Sequence, residues 1–135
     1  RQRPLGRIWA KTGPYPDFPT DLQSPLLALM SVSGGGMVEE TVFESRFKTA
    51  LELNKMGAAA EISGKLAKVA EGRRLHGCRV RACDLRGGAA LVAAGLAAEG
   101  TTFVEQAEYI FRGYEDICRD LSSLGGRLWY RESVA

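Results

Sequence analysis

Residues 83–100, CDLRGGAALVAAGLAAEG, indicate the architecture of the chain. Asp84 can cap a helix, about ten small or apolar residues follow it, and Gly100 suits the left-handed position that closes a helix. A helix without a polar face is buried on all sides, and this one is far too short to cross a bilayer. We therefore expect it at the centre of a domain, with an amino end that could hold an anion beside Asp84 and Arg86.

The composition is that of one globular domain, because 45% of the 135 residues are hydrophobic and 25% are charged. A net charge of +2 without a dense basic run predicts neither a nucleic-acid partner nor a membrane partner. We find no signal-peptide pattern and no membrane-spanning run, which predicts a cytoplasmic protein. The three cysteines lack zinc-like spacing, so we expect reduced thiols, no metal and no cofactor. The chain begins at Arg1 without a Met, so we expect a piece of a longer protein.

The predicted elements occur in the same order in two halves. Each half contains a buried helix, a strand, an amphipathic helix and a further strand, and a hairpin lies between the halves. The strands are predicted over 7–12, 37–43, 60–62, 66–69, 78–82, 101–104 and 128–130, and the helices over 26–32, before Gly57, over 84–100 and over 110–124. The corresponding positions are Asp21 with Asp84, Gly36 with Gly100, Arg46 with Arg112, and Met56 with Leu124. We predict an α/β (α+β) fold with partly parallel strands, with repeat 1 over 7–70 and repeat 2 over 78–131.

The chain also carries separated motifs, which are FPTDLQ at 18–23, ETVFESRF at 40–47, DLR at 84–86 and RGYE at 112–115. In this order and spacing they resemble the UDP-N-acetylglucosamine 1-carboxyvinyltransferases of the enolpyruvyl transferase family. The resemblance implies an inside-out α/β barrel of repeated βαβαββ units, with helices inside and sheets outside. It also implies that residues 1–135 form part of one such domain, from the carboxy-terminal part of the enzyme, and that the amino-terminal portion is absent.

The implied reaction transfers enolpyruvyl from phosphoenolpyruvate to the 3-hydroxyl of UDP-N-acetylglucosamine. This is the first committed step of bacterial peptidoglycan synthesis, and it proceeds by addition and elimination. Such chemistry needs a base on the hydroxyl, an acid for the methylene carbon, and cations around phosphate and carboxylate. The missing amino-terminal portion would be a partner of this chain, and we expect the isolated chain to have no turnover.

The resemblance implies roles for individual residues. Asp21 corresponds to the sugar-contacting aspartate and is the candidate base. Arg112 corresponds to an arginine that closes over phosphoenolpyruvate, and a guanidinium suits phosphate or carboxylate well. Both are predicted to be catalytic and to bind substrate, and the backbone of Val42 is expected to meet the UDP-sugar. The further substrate-binding positions are Arg46, Asp84 and Arg86.

Simpler interpretations stay open beside these roles. Asp21 and Asp84 could each be only a helix cap, Arg112 a surface arginine beside a helix, and Arg46 an ion-pair partner. For the whole protein, the alternatives are an enolpyruvyl transferase acting on shikimate 3-phosphate or a nucleoside-type acceptor, and a non-catalytic binding or assembly fragment. Two units where the family uses three would leave an unpaired sheet edge and an uncovered helix flank, which favours self-association.

Overall fold

The structure is a computed structural model that describes residues 6–43, 47–71 and 74–131. The first half contains strand β1 (Ile8–Lys11), a 3-10 turn (Thr20–Leu22), helix α1 (Gln23–Ser31), strand β2 (Gly36–Glu39), helix α2 (Lys48–Lys55) and the hairpin strands β3 (Ala60–Ser63) and β4 (Leu66–Val69). The second half contains strand β5 (Arg79–Arg81), helix α3 (Leu85–Ala97), strand β6 (Phe103–Glu105) and helices α4 (Glu108–Phe111) and α5 (Ile117–Ser123).

The described strands form one sheet in each half. The first sheet has the order β1-β2-β4-β3, in which β1 and β2 are parallel and the hairpin strands continue the sheet antiparallel. In the second sheet β5 and β6 are parallel. A helix connects the two strands of each parallel pair, as parallel pairing requires a crossover. The predicted partly parallel α/β architecture is confirmed, whereas the limits of the two repeats stay a prediction.

The three longest described helices pack against one another on the inner side of the sheets. α1 contacts both α2 and α3, and α2 contacts α3. Alternate residues of β2 and β4 are buried, so one face of the first sheet covers the helices and the other faces outward. Helix and strand side chains share one core, which includes Leu27, Met30, Leu53, Leu91, Val38, Ala67 and Val80. The helices-inside arrangement that the resemblance implies is therefore present.

Helix α3 is closely packed along one side only. A Cβ atom on Gly88 would lie 2.7 Å from Cγ1 of the buried Ile110, so glycine permits the close approach of α4. At the other end Leu96 is 39% exposed, and Ala93 and Ala97 are also exposed. The prediction that this helix is buried on all sides is therefore wrong. No element of the described chain covers that face.

Other predicted elements differ in their limits. Strand β2 ends at Glu39, earlier than predicted, because the amides of Val42 and Phe43 donate to the side-chain carboxylate of Glu40 and not to a neighbouring strand. The helix predicted over 110–124 is divided, because the side chain of Asp116 accepts a hydrogen bond from the amide of Arg119 at 2.9 Å and starts α5. The strand predicted over 128–130 does not occur among the described residues. Tyr130 instead packs edge-on against Phe111, with ring centroids 4.9 Å apart.

Two further sequence expectations concern the cysteines and the membrane. Cys78, Cys83 and Cys118 are half-buried, and none of them forms a disulfide. Burial, assisted by the charge of Asp116, raises the pKa of the Cys118 thiol.

Within the described ranges, no helix combines the length and apolarity needed to cross a membrane.

Candidate functional site

An open cleft of about 410 Å³ lies where the proline-rich loop after β1 meets the start of α1. The residues that line it are Gly13, Pro14, Pro19, Thr20, Asp21, Thr41 and Val42. One wall is the segment 19–21, and the opposite wall is the segment 41–42 that follows β2. Asp21 and Val42, which the resemblance assigned to the UDP-sugar, thus face the same cleft from different walls.

Asp21 lies in the 3-10 turn before α1, and it does not cap that helix. Neither the turn nor α1 has a side-chain cap hydrogen bond at its first residue. Oδ2 of Asp21 lies 3.5 Å from Nη2 of Arg86, which comes from the second half of the chain. The two side chains are 54% and 45% exposed, so a ligand in the cleft could reach the pair. The packing of α1 on α3 is what brings these residues together.

Asp84 caps the helix that follows it, whereas Asp21 does not. Its Oδ1 accepts a hydrogen bond from the amide of Gly87 at 2.6 Å and caps α3. This carboxylate occupies the amino end of the helix, where we had expected an anion. The cap interpretation is therefore correct for Asp84 in this structure. A direct contact between Asp84 and a substrate stays a prediction.

Arg112 lies in the loop between α4 and α5, beside the first turn of α3. The next residue, Gly113, packs so closely on Leu85 that a Cβ atom would overlap its side chain. The guanidinium of Arg112 lies 5.2 Å from the ring centroid of Tyr109, which is cation–π distance. The structure thus places Arg112 on a loop beside the first turn of α3, with its side chain directed to Tyr109. Arg46 lies outside the described residues.

Glu40 is a buried carboxylate that the sequence analysis left without a role. Only 2% of its surface is exposed. Its Oε1 accepts hydrogen bonds from Oγ1 of Thr20 at 2.8 Å and from Nε2 of Gln23 at 2.7 Å. These two donors belong to the 3-10 turn and to the first turn of α1. One carboxylate oxygen is therefore bonded to the wall that carries Asp21.

The other oxygen of Glu40 is bonded to the opposite wall. Its Oε2 accepts hydrogen bonds from Oγ1 of Thr12 at 2.7 Å and from the amides of Val42 at 3.0 Å and Phe43 at 3.3 Å. Burial by itself would raise the pKa of Glu40, but hydrogen bonds lower it below its usual value. In an alternating strand Glu40 falls on the same face as the buried Val38, and a carboxylate on that face is the signal that sequence reasoning could have used.

The chain matches a family model described as EPSP synthase (3-phosphoshikimate 1-carboxyvinyltransferase) over residues 2–121. The UDP-N-acetylglucosamine 1-carboxyvinyltransferase of Desulfofundulus thermocisternus is 52% identical over 127 residues, which cover 93% of this chain and 52% of that protein. The protein of the same name from Oleidesulfovibrio alaskensis is 52% identical over 115 residues, which cover 84% of this chain and 28% of that protein. The chain thus spans about half of the first relative and under a third of the second.

Two solved structures are similar to this one. The enolpyruvyl transferase NikO from Streptomyces tendae matches with a TM-score of 0.84 and 31% identity, over 94% of this chain and 30% of that chain. EPSP synthase from Acinetobacter baumannii matches with a TM-score of 0.56 and 18% identity, over 76% of this chain and 24% of that chain. Both matches support the architecture described above.

Proposed function

Because the chain belongs to the EPSP synthase family of enolpyruvyl transferases, we propose that it forms the acceptor side of an enzyme that transfers enolpyruvyl from phosphoenolpyruvate to UDP-N-acetylglucosamine. One observation carries this proposal. Asp21 and Val42 line a single cleft, and Arg86 of the other half lies 3.5 Å from the carboxylate of Asp21. The names of the relatives favour the UDP-sugar over shikimate 3-phosphate as the acceptor.

The cleft offers the groups that the acceptor side of this reaction needs. Asp21 is a carboxylate open to the cleft, and we assign to it the removal of the proton from the sugar 3-hydroxyl. The amide of Val42 donates to Glu40, so we assign the contact with the UDP-sugar to the carbonyl oxygen of Val42. Arg86 and Arg112 would supply positive charge for the phosphate and the carboxylate of phosphoenolpyruvate. Arg46 and Asp84 stay further candidates for substrate binding.

The chain supplies only part of this chemistry in our proposal. We assign the acid for the methylene carbon to the amino-terminal portion of the enzyme. We therefore expect turnover only when that portion is supplied. The cytoplasmic location and the role in peptidoglycan synthesis belong to the same proposal.

The proposal is tested by mixing the chain with the amino-terminal portion of the Oleidesulfovibrio alaskensis relative and measuring phosphate release from phosphoenolpyruvate and UDP-N-acetylglucosamine. We expect release from the mixture and none from the chain alone. Asp21→Asn should lower the rate by roughly a hundredfold or more, because it removes the general base. Arg112→Ala should also lower it strongly, because a guanidinium that meets developing charge is lost.

Matched controls come from an ion pair on α5. Arg119 and Asp120 are also 3.5 Å apart and also well exposed, but neither lines the cleft. Asp120→Asn and Arg119→Ala should leave phosphate release unchanged. Equal losses in the control and site variants would contradict the assignment of Asp21 and Arg112.

The acceptor is tested separately by competition binding. We expect UDP-N-acetylglucosamine to bind the chain and shikimate 3-phosphate not to displace it. Binding of shikimate 3-phosphate alone would replace the proposed acceptor. Binding of the UDP-sugar without turnover in any mixture would favour the non-catalytic binding fragment.

Self-association of the chain also stays a prediction. The side chains of Leu29 and Val32 are 41% and 46% exposed on and directly after α1, and Leu96 on α3 is 39% exposed. These exposed apolar side chains support self-association of the chain. A sedimentation coefficient that does not change with protein concentration would contradict self-association.

A further inference from the structure

The carboxylate of Glu40 lies behind the candidate cleft, at the point where its two walls meet. Its Oε1 is bonded to Thr20, in the wall that carries Asp21, and its Oε2 is bonded to the amide of Val42, in the other wall. Glu40 does not line the cleft itself. It is therefore placed to hold the walls at a defined separation without touching a ligand.

Thr12 completes this connection at the end of β1. Its hydroxyl donates to Glu40 and accepts from the amide of Thr41 at 2.8 Å. The hydroxyl of Thr41 in turn donates to the carbonyl oxygen of Thr12. The residue that precedes Val42 is thus joined to the end of β1, which is itself held in the sheet by pairing with β2.

The negative charge of Glu40 determines how the polar groups around it are oriented. An ionised carboxylate can only accept hydrogen bonds, so every polar neighbour must turn a donor toward it. Its partners in the described chain are hydroxyls, a side-chain amide and backbone N–H groups. Hydrogen bonds to a charged acceptor are stronger than those between neutral groups. A glutamine in this place would turn an NH2 group toward donors that already occupy the site.

We propose that Glu40 is a positioning residue that sets the spacing between Asp21 and Val42, and through that spacing the affinity of the cleft for the acceptor. The part that concerns the acceptor rests on the proposed function. Glu40 acts through the two walls and has no contact with the substrate. Its substitution should therefore affect the binding of the UDP-sugar more than the binding of phosphoenolpyruvate.

The first test uses the chain alone and does not depend on any ligand. In ¹H–¹⁵N correlation spectra, Glu40→Gln should move the amide signals of Val42 and Asp21 together, because a glutamine keeps only one acceptor oxygen and can no longer accept hydrogen bonds from both walls. The matched control is Glu39→Gln, which makes the same chemical change one residue earlier. It should leave the signal of Asp21 in place.

A milder variant keeps the proposal testable if Glu40→Gln does not fold. Thr20→Val removes one hydrogen bond to Oε1 and leaves those to Oε2. It should move the signal of Asp21 and leave that of Phe43. Unchanged signals of Asp21 in both Glu40→Gln and Thr20→Val would overturn the proposal.

The second test measures substrate binding. Glu40→Gln should weaken the binding of UDP-N-acetylglucosamine by about tenfold, and Glu39→Gln by less than about twofold. In the mixture with the amino-terminal portion, Glu40→Gln should raise KM for the UDP-sugar and leave KM for phosphoenolpyruvate unchanged. An equal rise in both KM values would indicate a general structural defect and would overturn the proposal.

The two tests separate this inference from the proposed function. If the wild-type chain binds no UDP-sugar but Glu40→Gln moves both walls, the proposed acceptor is wrong and the spacing role of Glu40 is supported. If the wild type and Glu40→Gln bind the UDP-sugar equally, the acceptor is supported and the role of Glu40 is wrong.

Discussion

In both halves of the chain the same backbone hydrogen bond is made at the end of the parallel strand pair. The side chains at that point differ between the halves. In the first half the amide of Thr12 donates to the last residue of β2 at 2.8 Å. In the second half the amide of Ala82 donates to the last residue of β6 at 3.0 Å. Thr12 therefore corresponds to Ala82, and Glu40 corresponds to Gln106.

The difference lies in what each half buries at this point. Glu40 is buried among hydrogen-bond donors, whereas Gln106 is exposed and has a φ of 57°. Thr12 supplies a buried hydroxyl, whereas Ala82 is a buried methyl group near the backbone of Gly88. The same backbone frame thus holds a buried, hydrogen-bonded carboxylate beside an open cleft in one half and a closely packed junction in the other.

The aspartates before the two buried helices differ in the same way. One carboxylate oxygen of Asp84 accepts a hydrogen bond from the amide of Gly87, so the orientation of the side chain is set by the helix that Asp84 caps. Among the residues that the structure describes, Asp21 makes no such bond, and its carboxylate pairs with the exposed guanidinium of Arg86. A carboxylate that does not cap its helix is available to a ligand. This distinction favours Asp21 over Asp84 as the candidate base.

The largest effect on stability should come from exchanging the residues at the corresponding strand ends. Glu40→Gln should lower the free energy of unfolding by about 3 kcal/mol, because the charge is lost and an NH2 group replaces one of the two acceptor oxygens, which leaves the donors bonded to that oxygen unsatisfied. Gln106→Glu should change it by less than about 0.5 kcal/mol, because the side chain is exposed. Urea unfolding midpoints check both values. Similar midpoints for the two variants would remove the distinction between the halves.

A smaller difference in stability is expected between substitutions of the two aspartates, Asp84 and Asp21. Asp84→Ala should cost about 1 kcal/mol of stability, because the cap of α3 is lost. Asp21→Ala should cost less than about 0.5 kcal/mol, because an exposed ion pair contributes little. Thermal unfolding of the two variants under the same conditions compares them directly. A larger loss in Asp21→Ala would show that Asp21 has a structural role.

The smallest effect should appear as a pH dependence. Burial acts to raise the pKa of Glu40, but its hydrogen bonds outweigh burial and lower it. A lowered pKa means that the ionised carboxylate stabilises the fold above the ordinary glutamate pKa, and that this contribution is lost as the pH falls through the folded value. The stability difference between wild type and Glu40→Gln should therefore shrink on acidification. A difference that stays constant into the acid range would contradict this prediction.

Local signals were sufficient for much of the fold. The order of strands and helices through β6 and the apolar helices at the centre could be predicted from periodicity, caps and residue spacing. The family was identified by the resemblance of its motifs, and the family and fold are confirmed. Asp84 as a cap is a local interaction across three residues, and for that reason it could be predicted. The predictions failed where a helix cap, or a hydrogen-bond partner far away in the sequence, changed the limits of an element. Asp116 divides the last helical segment, and the donors around Glu40 end β2 early.

The sequence by itself determined which elements form, because helix and strand preferences depend on neighbours along the chain. Only the tertiary structure decided which polar groups meet. Arg86 reaches Asp21 because α1 packs on α3, and Glu40 receives donors from β1, the 3-10 turn and α1. Such contacts join residues far apart in the chain, and their geometry depends on how whole helices and strands pack. For that reason the residue that connects the two walls of the cleft could not be recognised from its motif alone.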